Sequence, residues 1–69
     1  NPVKDILTIE SAEEIESYQL SNVVGLLCVE ESNLTAKQVK LNLSNYPEGV
    51  YFIKIKTASH ISTRKVVVR

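Results

Sequence analysis

Tyr46-Pro47-Glu48-Gly49-Val50-Tyr51-Phe52-Ile53-Lys54-Ile55-Lys56 is a turn that leads straight into a strand. Pro47 fixes its own φ and Gly49 accepts positive φ without a steric penalty, so the chain can reverse here. From Val50 onward the pattern has a period of two. Tyr51, Ile53 and Ile55 share one face, of core character, and Val50, Phe52, Lys54 and Lys56 share the other. The two lysines mark that second face as solvated. Phe52 stands out on it as an apolar residue able to cover a sheet edge or a partner.

Reading outward, residues 62–69 form a second strand, which closes the chain and pairs with the first. Residues 57–61 join them, and His60 can occupy the tight turn because histidine tolerates left-handed backbone better than most residues. Upstream, Val39, Leu41 and Leu43 alternate strictly with Lys40, Asn42 and Ser44, which is the pattern of a half-buried strand. Residues 32–38 are polar and read as a loop. Residues 26–31 and 15–20 form a hairpin through Ser21-Asn22-Val23-Val24-Gly25, with Gly25 supplying a left-handed position. Tyr18 and Leu20 point inward. Leu27 and Val29 share one face of their strand, Leu26 and Cys28 the other.

Asn1-Pro2 is an extended or turn dipeptide, since a residue before proline is pushed out of the helical region. A first strand follows over residues 3–10, with Leu7 and Ile9 on one face and Ile6 and Thr8 on the other. Ser11-Ala12-Glu13-Glu14 has the spacing of a helix capping box. The residues after it alternate with period two, so a short turn between two strands is expected there. The sum is an all-β chain: one domain over residues 1–69, expected as a small Ig-like antiparallel β-sandwich of about six or seven short strands.

A chain of 69 residues has a thin core. Its single cysteine, Cys28, allows no internal disulfide and reads as a small apolar residue in a strand. No apolar run approaches the roughly 20 residues of a membrane-spanning helix. No signal peptide opens the sequence, so a secreted form implies a signal upstream, on a larger precursor. The net charge is zero but unevenly spread. Residues 1–36 carry Asp5, Glu10, Glu13, Glu14, Glu16, Glu30 and Glu31 against Lys4; residues 37–69 carry Lys37, Lys40, Lys54, Lys56, Arg64, Lys65 and Arg69 against Glu48. Strands of opposite sign could pair across a sheet, each pair contributing a few tenths of a kcal/mol. No basic helical stripe or aromatic stacking platform points to nucleic acid.

Catalytic chemistry finds little support. His60 is the only histidine, which argues against a His/Cys metal site. A Cys28–His60 nucleophile pair has no orienting third group. Glu13, Glu14 and Glu16 read as a solvated face rather than as catalytic acids, since nothing beside them forms a pocket. There is no glycine-rich phosphate loop. Asn33-Leu34-Thr35 and Asn42-Leu43-Ser44 match the glycosylation triplet, which is frequent by chance. No cofactor and no small-molecule substrate are expected.

Four features in order carry a resemblance: the Asn1-Pro2 start, Leu41-Asn42-Leu43, Pro47-Glu48-Gly49-Val50-Tyr51, and the basic last strand Arg64-Lys65-Val66-Val67-Val68-Arg69. Tyr18, Leu20, Asn22 and Gly25 add a Tyr-x-Leu-x-Asn-x-x-Gly match. Together they resemble, over the whole chain, the C-terminal sorting domain of the type IX secretion system of Bacteroidetes-type bacteria (type A). The resemblance implies a C-terminal sorting signal on a larger cargo protein, read by the outer-membrane translocon and removed by a sortase-like peptidase. It implies no catalysis of its own, periplasmic transit, and a cargo that ends secreted or at the cell surface. The positions matched to partner recognition are Asn1, Pro2, Gly49, Tyr51, Lys65, Val66, Val67, Val68 and Arg69. The expected partners are translocon and sortase components, and exposed sheet edges would also permit a dimer. The alternative reading is an accessory adhesion or carbohydrate-binding β-sandwich, which would need an exposed row of aromatic side chains.

Overall fold

The computed structural model describes residues 2, 3 and 5–69, with side chains from Asp5 onward. Six strands follow one another: β1 (Pro2–Val3), β2 (Ile6–Asn22), β3 (Leu27–Glu31), β4 (Ala36–Asn42), β5 (Gly49–Thr57) and β6 (Ile61–Val68). No helix occurs among the described residues. The strand order is β1-β6-β5-β2-β3, with β4 also paired to β2. β1 runs parallel to β6, and the other pairings are antiparallel.

The all-β expectation holds, but the hydrogen bonding does not divide into the two separate sheets of a sandwich. One strand, β2, joins everything. Its first half pairs with β4 from Ile6↔Asn42 to Glu10↔Gln38 and, after a register shift across residues 11–14, again at Ile15↔Ala36. Its second half is central, with β5 on one side from Ile15↔Thr57 to Asn22↔Tyr51 and β3 on the other from Tyr18↔Glu31 to Ser21↔Leu27. The turn expected at Ser11-Ala12-Glu13-Glu14 is therefore absent, and the chain passes through those residues as strand.

A bulge explains why one strand looks like two in the sequence. Ile15 faces Thr57 but Ser17 faces Lys56, so Glu16 is an additional residue on β2. An extra residue in a strand exchanges its two faces. Before the bulge the buried positions are Ile9 and Ile15; after it they are Tyr18 and Leu20. The insertion lets Tyr18 meet Ile55 and Leu20 meet Ile53, so that buried residues oppose buried residues on both sides of the bulge.

The core is Ile9, Ile15, Tyr18, Leu20, Leu41, Leu43, Tyr51, Ile53, Ile55, Val66 and Val68. Residues from both halves of β2 belong to it, because the wing of β2 and β4 lies against the inner side of β5 and β6. Leu7, Thr8 and Ile9 share a cleft with Ile53, Arg64, Lys65 and Val66. The predicted alternation in β5 is observed: Tyr51, Ile53 and Ile55 are buried, with Thr57 continuing the row, and Phe52, Lys54 and Lys56 are exposed. β6 is uneven. Its residues 61–65 are exposed, and only Val66 and Val68 are buried.

The acidic and basic halves do not pair across the sheet. Lys40 opposes Thr8; Lys54 lies between Gln19 and Thr63; Lys56 lies between Ser17 and Ile61. Among the described residues the one ion-pair contact is between His60 and Glu13.

Candidate recognition surface

The register gathers most of the sequence-matched positions at one end of the sheet. Gly49 opposes Val68, Val50 opposes Val67 and Tyr51 opposes Val66. On the far side of β6, Pro2 opposes Val67 and Val3 opposes Val68. On the far side of β5, Tyr51 opposes Asn22, the last residue of β2. Arg69 extends just past Val68, and Lys65 opposes Phe52 one step inward. Asn1 lies outside the described residues.

These positions do different work. Tyr51 is buried, and its hydroxyl donates a hydrogen bond to the Pro47 carbonyl at 2.7 Å. Its ring lies tilted against Tyr46, with centroids 6.2 Å apart. The Pro-x-Gly-x-Tyr motif is thus a self-fastening turn: the tyrosine two residues past the glycine ties down the proline carbonyl. Gly49 is exposed at φ +155°. Val66 and Val68 belong to the core and present nothing outward. Val67 is half-buried, and Lys65 and Arg69 are exposed. A partner approaching this end meets two cations on a strand anchored by buried valines.

The same end carries a feature that the matched motif did not single out. The β2–β3 turn exposes Val23, Val24, Leu26 and Leu27 at 68%, 76%, 65% and 53%. It is an ordered turn. The Asn22 side-chain oxygen accepts from the Val24 N–H at 3.1 Å and the Leu26 N–H at 3.0 Å. The Asn22 N–H donates to the Leu26 carbonyl, and the Gly25 N–H donates to the Asn22 carbonyl, each at 3.0 Å. Gly25 sits at φ +90°, a conformation that side-chain-bearing residues seldom adopt. The signal was present in the sequence as an uncharged run from Ser17 to Val29 whose turn residues are apolar.

The opposite end is polar. Glu13, in the middle of β2, accepts hydrogen bonds from Thr57 Oγ1 at 3.1 Å and from Ser59 Oγ, and lies 3.6 Å from His60 Nδ1. The Ser59 and Thr57 hydroxyls hold its carboxyl below the ordinary value of 4.5; partial desolvation opposes them, and His60 adds a little in their favour. Glu13 therefore clasps the middle of β2 to the β5–β6 turn, and Thr57 completes that turn by accepting the His60 N–H at 3.2 Å. Glu14 and Glu16 are exposed, as read from the sequence. Cys28 lies in β3 next to the apolar turn, whereas His60 lies at the polar end, so the two are not brought together. Among the described residues no cluster has the makings of a metal site.

An aromatic platform for carbohydrate is likewise not assembled among the described residues. Tyr18 and Tyr51 are buried, Tyr46 is half-buried, and Phe52 is alone on the outer face, flanked by Lys54 and opposed by Ser21 and Lys65. Burial pushes the Tyr18 phenol above its ordinary 10.0, with Glu31 and Tyr46 adding to the rise, as befits a core side chain.

A family model described as a secretion system C-terminal sorting domain matches residues 1–69, the whole chain. The chain belongs to this family. No curated protein and no solved structure matches it. The sorting domain is a C-terminal signal for type IX secretion, so the protein that carries it is exported, to be secreted or displayed at the cell surface. The adhesion or carbohydrate-binding alternative is not favoured.

Proposed function

We propose that the type IX translocon reads the sorting domain in its folded form, at the end of the sheet where Gly49, Val67, Val68 and Arg69 meet. The observation that carries this reading is the register of β6 against β5, which sets exposed Lys65 and Arg69 on a backbone held by buried Val66 and Val68. Exposed cations on a rigid strand steer and orient a partner more than they add affinity. The domain acts as a ligand for the machinery, without catalysis or cofactor of its own. The cargo reaches it in the periplasm, and a sortase component removes the domain afterwards. On the side of β6 away from β5, residues 61–65 have no strand partner among the described residues, an edge that would also let two copies associate by strand addition.

The test is an export assay in a type IX-competent host and in one lacking the translocon, using a periplasm-targeted reporter that ends in residues 1–69. The expected result is translocon-dependent release of a reporter shortened by the domain. Lys65→Glu with Arg69→Glu should leave the reporter in the periplasm while the domain stays folded. Export unchanged by the charge reversals would remove these residues from recognition. Deleting residues 61–69 would be a poor substitute, since it removes Val66 and Val68 from the core.

A further inference from the structure

We propose that the β2–β3 turn is a second docking element: Val23, Val24, Leu26 and Leu27 insert into an apolar socket with a cationic rim on the secretion machinery. The inference rests on the sorting reading and adds a contact that the motif positions do not include. Four large apolar side chains exposed on one short turn carry an unfavourable solvation cost. The turn is not loose. The Asn22 side chain accepts two of its N–H groups, and the left-handed Gly25 closes it, so the apolar groups are held outward in advance of binding.

Three observations select the occupant. The turn projects from the end of β2 where Asn22 opposes Tyr51 and Tyr51 opposes Val66, so it lies alongside the end carrying Val68 and Arg69. One partner can cover both. The nearest charges along the hairpin are Glu16 on β2 and Glu30 and Glu31 on β3, all acidic. They complement a cationic rim on the β3 side of the turn; the cations lie on the other side, with Lys54 of β5 level with Glu30 across Gln19 and Lys65 and Arg69 further out on β6. A second copy is disfavoured by size: a standard interface takes roughly 800 Å² per partner, about a sixth of this domain's 4744 Å². Four turn residues fall short of that, whereas a pocket on a large partner needs only a few apolar anchors.

The test uses the reporter ending in residues 1–69 and the polar pair Val24→Asn with Leu26→Thr. Both positions are exposed, so the purified variant should keep the wild-type thermal transition. Export is expected to fall at least tenfold, and the apolar pair Val24→Ile with Leu26→Met should export within twofold of wild type. Unchanged export by the polar pair overturns the proposal. So does a wild-type domain that sediments as a dimer which the polar pair dissolves, or one that binds phosphatidylglycerol vesicles through this turn. A wild-type reporter that is retained whether or not the translocon is present strikes the sorting reading itself, and the wild-type lane separates that failure from the failure of the turn.

Discussion

The two ends of the sheet use their side chains in opposite ways. At the β5–β6 turn, hydroxyls and a carboxylate satisfy one another: Glu13, Thr57 and Ser59 form a closed set with His60 beside them. At the other end the polar groups of Asn22 and Tyr51 are turned onto the backbone, and the valines and leucines of the β2–β3 turn face solvent, with Lys65, Arg69 and Glu48 beside them. An end that satisfies itself gains stability and offers a partner little. An end that directs its polar groups inward builds a rigid mount and leaves its apolar groups available. The difference separates the part of this domain that holds it together from the part suited to recognition.

The strongest way to break the comparison is to remove the core that links the ends. Leu20 is fully buried opposite Ile53, and Leu20→Ala should cost about 3 kcal/mol, within the usual range for buried leucine. In a domain this small that should leave much of the population unfolded at 37 °C, by circular dichroism, with both ends lost in one transition. Separate transitions for the two ends would show that they are independent units. A smaller effect is expected from Asn22→Ala, which leaves the Val24 and Leu26 N–H groups without their side-chain acceptor. Because both groups can turn to water, the loss should be about 1 kcal/mol in urea denaturation, with faster amide exchange confined to the β2–β3 turn. Exchange that also rose at residues 57–60 would contradict the division into two ends.

Tyr51→Phe removes only the bond to the Pro47 carbonyl and keeps the buried ring. It should cost about 1 kcal/mol or less, and the amide exchange it speeds should lie within residues 44–49. The smallest effect belongs to Glu13, whose carboxyl is exposed enough for water to compete. Its folded value lies below 4.5, so its stabilising contribution is present above 4.5 and is lost as pH falls through the folded value. Glu13→Gln should therefore show a shallower loss of melting temperature than wild type as pH is lowered below 4.5. Parallel melting curves for the two proteins would rule out the clasp.

How much was legible differs by region, for physical reasons. β5 could be read directly, because alternation there is unbroken and Pro47-Gly49 announces the start, and β6 followed from its run of three valines at the end of the chain. β2 could not. Glu16 changes the phase of the pattern, and Ser11-Ala12-Glu13-Glu14 has the composition of a turn; periodicity alone cannot tell a bulge from a strand end. The recognition motif was visible, but its parts were not sorted by role. Gly-x-Tyr looks like a signature, yet Tyr51 is a core residue fastening a turn, a fact that depends on where the Pro47 carbonyl lies. The turn itself was read as the hairpin connection, but its apolar side chains were not singled out, because whether valine and leucine stay exposed depends on what packs over them.

By itself the sequence determined the strand chemistry: which residues alternate, where proline and glycine reverse the chain, that charge is segregated between the halves, and that the motif order is that of a sorting domain. Those properties are local, set by φ preferences and by side-chain polarity along one chain. Only the tertiary structure decided that β2 runs unbroken through both wings of one sheet, that Glu13 meets Ser59 across 46 positions of sequence, and that the apolar turn and the C-terminal cations lie at the same end. Such facts come from cross-strand register, which depends on how buried faces match between distant segments, and no local preference encodes that match.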